Sequence, residues 1–216
     1  MTLPDKKIKV LLVDDHAVVR AGYRMLLQST DVVEIVAEAE SGEMACKYYV
    51  DMSPDVVVMD LSLPGMGGLE AIRRIIARDS AARILVFSMH EETVFVEQAL
   101  NAGAKGYITK SAAPKTLINA IKELAAGKQF LDAEIAQRLA FQKTRDKDMP
   151  FSMLSTREFG IFCLLAEGHN TSEIAKRLSL SYKTVANYST QIKSKLNVNT
   201  IAEITRLAIR HNIVQA

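Results

Sequence analysis

Val56-Val57-Val58-Met59-Asp60-Leu61-Ser62-Leu63-Pro64-Gly65-Met66-Gly67-Gly68 decides the fold, because four apolar residues without alternation run straight into a carboxylate and a turn. A strand with one buried face alternates apolar and polar side chains, whereas an unbroken apolar run needs cover on both faces, as a parallel sheet between helices provides. Working outward, β-rich runs recur at residues 8–13, 33–37, 84–87 and 106–108. Helical patterns fill the intervals at 17–28, 41–52, 69–78 and 93–101, and a last one follows at 114–126. Pro114 is placed to open that last helix and Gly127 to stop it. Five strands alternating with five helices predict a doubly wound α/β fold, with right-handed crossovers and strand order 2-1-3-4-5.

At 216 residues the chain exceeds a common domain of about 100–150 residues, so a second unit is expected. Residues 1–128 form the α/β domain. Residues 129–150 read as a linker, with a helical pattern at 132–142 followed by polar, aperiodic sequence. Residues 151–216 lack strands and hold four helical segments, each opened by a capping signal: Ser155 with Glu158, Asn170 or Thr171 with Glu173, Ser181 with Thr184, and Thr200 with Glu203. This second domain is all-α.

Composition is that of a globular protein, 49% hydrophobic and 24% charged. No apolar run approaches the length of a membrane span and no signal pattern opens the chain, so a cytoplasmic location is expected. Cys46 and Cys163 lack any ligand spacing and read as free thiols. Net charge is +2, unevenly spread: residues 1–128 carry 15 basic and 17 acidic side chains, and residues 151–216 carry 8 and 4. A basic C-terminal module suits a polyanion, though so small an excess also occurs on inert surfaces.

Ligands of a doubly wound sheet bind beyond the strands' carboxyl ends, where the order switches between the first and third strands. Asp14 and Asp15 follow the first strand and Asp60 follows the third. Three carboxylates in one crevice need a counter-charge, and hard oxygen ligands suit Mg²⁺. Ser88 ends the fourth strand, and the fifth runs through Tyr107 to Lys110. A carboxylate nucleophile, a metal and a fixed ammonium are what phosphoryl transfer to a carboxylate requires. Taken singly, each has a plainer reading: Asp-Asp as a turn and cap, Ser88 bonding its own backbone, Lys110 as a solvated lysine. A phosphatase with an aspartyl nucleophile would need a second carboxylate at position 62, where serine stands.

In the C-terminal domain, helical patterns at 171–178 and 181–196 are separated by Ser179-Leu180, the spacing of a helix-turn-helix. Val185, Ile192 and Leu196 share one face. Lys183, Asn187, Thr190 and Ser194 lie opposite, flanked by Ala186 and Lys193, while Tyr188 borders the buried face and Thr184 is a further candidate for DNA contact. Lys183, Asn187 and Thr190 are expected to meet base edges, with Lys193 and Lys195 at phosphates and the Tyr188 hydroxyl reaching another. The plainer reading is a solvated helix face. A protein-interaction adaptor under phosphorylation control is the alternative function.

Val-Asp-Asp-His16, Val-Met-Asp60-Leu-Ser-Leu-Pro-Gly-Met-Gly-Gly68, Ser88 and Gly-Ala-Lys-Gly-Tyr-Ile-Thr-Lys110 resemble the receiver domains of two-component response regulators. Leu154-Ser-Thr-Arg-Glu158, Glu173-Ile-Ala-Lys-Arg-Leu178, Lys183-Thr-Val185 and Ile192-Lys-Ser-Lys-Leu196 are similar to the LuxR-type DNA-binding domain. Together they resemble the NarL/FixJ class, and within it the Gac-type global activators of proteobacteria. The resemblance implies that Asp60 accepts a phosphoryl group from a sensor histidine kinase, in a reaction the domain itself promotes. Asp14, Asp15, Asp60 and the Ser62 carbonyl would hold Mg²⁺, and Lys110 would contact the phosphoryl group. Ser88 and Tyr107 would act as a switch, the ring turning inward behind the hydroxyl. Phosphorylation would favour a homodimer on double-stranded DNA. Two departures from the family pattern are Ser111, where many receivers have proline, and Tyr188, where histidine is usual.

Overall fold

The computed structural model describes residues 7–145 and 150–214. The N-terminal part is built of β1 (Ile8–Val13), α1 (Ala17–Gln28), β2 (Val33–Ala39), α2 (Gly42–Met52), β3 (Val56–Met59) and α3 (Gly68–Arg78). It continues through β4 (Ile84–Ser88), α4 (Thr93–Asn101), β5 (Gly106–Thr109) and α5 (Pro114–Ala125). All strands pair in parallel, in the order β2-β1-β3-β4-β5-β6, where β6 is Phe130–Leu131.

The unbroken apolar runs are explained by two cores. Val10, Leu12, Val56, Val58, Leu85, Phe87 and Ile108 point to one face, where Leu117, Ile121 and Leu124 of α5 and Leu27 of α1 cover them. Leu11, Val13, Val57, Met59, Ile84 and Val86 point to the other, under Ile72 and Ile75 of α3 and Val96 and Ala99 of α4. Side chains alternate across a strand, so each run serves both layers.

The sheet has one strand more than the sequence reading allows. β6 pairs Phe130 with Gly106 and Leu131 with Tyr107, and the Phe130 amide donates to the Lys105 carbonyl at 3.1 Å. A Cβ at position 106 would meet the Phe130 carbonyl oxygen at 2.8 Å, so glycine is what lets this strand in. Two half-buried residues carry no readable period. After β6, α6 (Ala133–Arg145) lays Ile135 and Leu139 into the same core as α4. The segment 129–150 therefore begins as part of the sheet and its helical layer.

Between β3 and α3 the chain passes hard against itself. A Cβ on Gly68 would sit 2.1 Å from the Asp60 carbonyl oxygen and 2.7 Å from Leu61 Cα. The sequence reading takes this glycine as part of a turn, but the structure requires it for close approach beside Asp60. Gly68→Ala is expected to destabilise the domain by about 2 kcal/mol, seen as a lower urea midpoint at unchanged slope. An unchanged midpoint would mean that the loop yields freely.

The C-terminal part begins with a 3-10 turn at Pro150–Met153, followed by α7 (Thr156–Ala166), α8 (Thr171–Leu178), α9 (Tyr182–Lys195) and α10 (Ile201–Arg210). Ser155 and Asn170 complete capping boxes with Glu158 and Glu173, Ser181 accepts from the Thr184 amide, and Thr200 accepts from Glu203. Asn170 is thus the cap of α8. Ser179 takes a left-handed conformation, φ 54°, and the Leu180 amide returns to the Ala175 carbonyl at 2.8 Å, making the sharp turn into α9. Phe151, Phe159, Phe162, Ile174, Val185, Ile192 and Ile204 fill the core of this domain. Cys46 and Cys163 are free and partly buried.

Candidate functional site

The sheet's register builds the first site. Val13 pairs with Met59 and the Asp60 amide donates to the Val13 carbonyl at 3.0 Å, so the residues following both strands share one crevice. Ser88 pairs with Thr109 and the Lys110 amide donates to the Ser88 carbonyl at 2.8 Å, which starts the lysine side chain from the neighbouring strand end. Its Nζ lies 2.6 Å from Asp14 Oδ2 and 2.7 Å from Asp60 Oδ2. Asp14 and Asp60 are each 2% exposed.

One ammonium thus bridges two buried carboxylates and offsets only part of their charge. Burial pushes the Asp60 carboxyl above its ordinary range, opposed by the Lys110 hydrogen bond and charge. Burial works against the charge of Lys110, but its bonds to Asp14 and Asp60 prevail and raise its pKa. The Ser62 amide donates to Asp60 Oδ1 at 3.3 Å.

Asp14, Asp15, His16 and Asp60 offer ligand atoms within 4.8 Å of one another. Asp15 Oδ1 is buried with no donor in hydrogen-bonding geometry, although His16 Nδ1 lies 2.7 Å away. An under-satisfied carboxylate oxygen beside two further carboxylates fits a hard divalent cation such as Mg²⁺. His16 was not anticipated; its softer nitrogen is a poor Mg²⁺ ligand, and its side chain is largely exposed.

Ser88 and Tyr107 are fully buried. The resemblance led to the expectation that the Tyr107 ring turns inward on activation; here it is already inside, its hydroxyl donating to the His90 carbonyl at 2.8 Å, and burial raises its pKa. The Ser88 hydroxyl accepts the His90 amide at 3.3 Å. His90 itself escaped the sequence reading, although it stands two residues past the end of β4, where strand-end reasoning would have found it.

The second site is α9. Val185, Ile192 and Leu196 are buried, while Lys183, Asn187 and Thr190 are exposed on the opposite face. Thr184, Ala186, Tyr188 and Lys193 are half-buried at its margins. The Arg157 guanidinium lies 6.0 Å from the centre of the Tyr188 ring. Lys195 lies 2.7 Å from Glu158 Oε2, and this pairing helps to hold the Glu158 carboxyl below its usual range against the effect of burial. A nearly buried carboxylate demands a partner, so a phosphate contact by Lys195 competes with an internal ion pair that the sequence did not reveal.

The two domains touch through α3, α4 and α7. Phe95 meets Phe159 edge to face at 5.3 Å, Gln98 donates to the Leu154 carbonyl at 3.2 Å, and Arg74 donates to the Leu178 carbonyl at 3.2 Å. A cavity of about 370 Å³ lies between them, lined by Asp15, Ser62 and His90 from one side and by Arg157, Gly160 and Arg177 from the other. Lys183, Asn187 and Thr190 remain exposed in this docked arrangement.

Comparison with known proteins agrees with both halves. Residues 10–122 match the response regulator receiver domain, and residues 152–208 match the bacterial regulatory proteins of the luxR family. The chain is 40% identical to the response regulator UvrY of Escherichia coli K12 over 211 residues, 97% of each chain. It is 38% identical to the response regulator GacA of Pseudomonas aeruginosa over 97% of this chain and 99% of the relative. Among solved structures, RcsB of Salmonella enterica serovar Typhimurium, bound to the promoter rprA in the presence of the phosphomimetic BeF₃⁻, superposes with a TM-score of 0.73 at 25% identity. That match covers 93% of this chain and 98% of RcsB. With a receiver-type pocket at one end and a helix-turn-helix at the other, the chain belongs to the response regulators that join a receiver domain to a LuxR-type DNA-binding domain.

Proposed function

We propose that Asp60 accepts a phosphoryl group from a sensor histidine kinase and that this modification controls homodimerisation and sequence-specific binding to duplex DNA. The observation that carries the reading is the Lys110 ammonium bridging Asp14 and Asp60 in a buried crevice. A carboxylate oxygen of Asp60 forms the new P–O bond as the donor's P–N bond breaks, and the departing imidazole takes its proton from solvent. Lys110 is placed to follow the charge from carboxylate to phosphoryl oxygen. Asp14, Asp15, Asp60 and the Ser62 carbonyl would hold Mg²⁺, which when bound supplies charge to the remaining phosphoryl oxygens. The domain acts only on itself and turns over no small phosphate ester. Intact-mass measurement after incubation with acetyl phosphate and Mg²⁺ should show one added phosphoryl group in the wild type and none in Asp60→Asn. An equal gain in both would place the acceptor elsewhere.

The DNA-reading assignment rests on the exposed polar face of α9. No helix among the described residues is long and apolar enough to cross a membrane. An operator is obtained by sequencing the DNA retained by the phosphorylated protein. On it, Asn187→Ala should cost about 1–3 kcal/mol and relax discrimination at one base pair. Lys193→Ala should weaken operator and scrambled duplex alike and reduce the salt slope by about 1. Anisotropy titrations at several salt concentrations read both effects, and an Asn187→Ala loss that is equal on the two duplexes would remove this residue from base readout.

A further inference from the structure

His90 has bonds to the phosphoacceptor pocket and a ring against the other domain's docking site. Its amide donates to Ser88 Oγ at 3.3 Å and its carbonyl accepts from the Tyr107 hydroxyl at 2.8 Å. Its Nε2 lies 3.1 Å from Ser62 Oγ, two residues beyond Asp60. The same imidazole stacks on Phe95 with ring centres 3.9 Å apart and planes at 15°. Phe95 in turn meets Phe159 of α7, whose ring packs against Phe151 and Phe162 in the core of the DNA-binding domain. Beside this contact, Gln98 donates to the Leu154 carbonyl and Thr156 to the Gln98 carbonyl.

We propose that His90 is a positioning residue that couples the phosphoacceptor pocket to the seat of the DNA-binding domain, its ring stacked on Phe95 carrying the coupling. The proposal rests on the phosphorylation reading above. When the Ser88 hydroxyl is drawn toward a phosphoryl group on Asp60, the His90 amide loses its acceptor and the turn from Met89 to Glu92 relaxes. The imidazole then shifts on Phe95, and the edge contact with Phe159 no longer fits the packed core behind it. Close-packed rings have a few discrete arrangements rather than a continuum, so a sub-ångström change at the pocket becomes a loosened seat. Because the exposed face of α9 is already open in the docked state, what the coupling changes is the freedom of the DNA-binding domain to leave α3 and α4, not the uncovering of Lys183, Asn187 and Thr190.

A ring that merely fills space would support folding without carrying a response, and amide hydrogen exchange on the full chain separates the two roles. The ligand is beryllofluoride with Mg²⁺, and the segments followed are 60–63 at the pocket, 93–101 in α4 and 156–166 in α7. In the wild type, beryllofluoride should slow exchange at 60–63 and speed it at 93–101 and 156–166 by about fivefold or more. His90→Ala should show the faster α4 and α7 exchange without ligand and change it little on addition, while 60–63 still responds. His90→Phe, which keeps a flat ring on Phe95, should restore slow basal exchange and the response. A wild-type response at 60–63 with α7 unchanged, a wild-type-like α7 response in His90→Ala, or no rescue by His90→Phe overturns the coupling. No response at 60–63 in the wild type overturns the phosphorylation reading, and the coupling with it.

Discussion

Asp60→Asn is expected to remain folded and monomeric when acetyl phosphate and Mg²⁺ are added, under conditions where the wild type shifts to a dimer on size exclusion. An asparagine carbonyl oxygen can accept one of the bonds that Asp60 takes from Lys110 and the Ser62 amide, so the crevice keeps its shape. The amide cannot form an acyl phosphate. The variant should also melt no lower than the wild type, because burial raises the Asp60 pKa and the ionised group is a cost to the fold. The sign follows from linkage: the folded state binds the Asp60 proton more tightly than the unfolded chain does. Asp60 therefore favours folding at low pH, and that advantage is lost as pH rises from the unfolded carboxylate value, about 4, through the raised folded value. The melting-temperature gain of Asp60→Asn should accordingly grow between acid and neutral pH. Equal donor-driven dimerisation in both proteins would defeat the assignment of Asp60.

Lys110→Met should have the largest effect on stability. Its side chain is 8% exposed and is the cation between two carboxylates that are themselves nearly sealed from water. Removing it leaves two like charges facing each other, a change that costs about 3–5 kcal/mol at neutral pH when a buried pair is broken from one side. The cost should fall as pH is lowered, because one carboxylate can then take up a proton. Combining Lys110→Met with Asp60→Asn should recover much of the loss, since only one of the two carboxylates that Lys110 bridges remains, and the non-additivity measures the coupling directly. Urea denaturation at pH 7 and pH 5 tests this. Additive losses would mean that Lys110 stabilises the fold through some other contact. Phosphoryl transfer to Asp60 should also fall by about 100-fold or more in Lys110→Met, as expected for loss of a preorganised charge.

Much of the fold was legible because the sheet's demands are local. Val56–Met59 and residues 84–87 are apolar on both faces, and helix caps such as Ser155 and Ser181 announce their helices. The convergence of Asp14, Asp15, Asp60 and Lys110 followed from one topological rule about strand ends. What escaped depended on partners that no local pattern names. Phe130–Leu131 forms a strand only because Gly106 admits it. Gly68 looks like any turn glycine until the Asp60 carbonyl is found against it. Glu158 could be read as half of a capping box, but not as the partner of Lys195, 37 residues on. The seat of α7 on α3 and α4 was equally hidden, since Phe95 and Phe159 each look like ordinary core residues of their own helices.

The early return of the chain to the sheet at β6 also sets how the two domains compete for each other. With Ile135 and Leu139 of α6 held in the core beside α4, and Arg138 bonded to Glu91, α6 runs to Arg145 and the DNA-binding domain starts at Pro150, so few residues of the span from 129 to 150 are left to join the two domains. A connection this short keeps the effective concentration of the domain at its seat in about the millimolar range. Contacts too weak to hold two separate molecules together therefore suffice within one chain. Inserting residues between α6 and the 3-10 turn would dilute that local concentration and release the domain with no residue of either site altered.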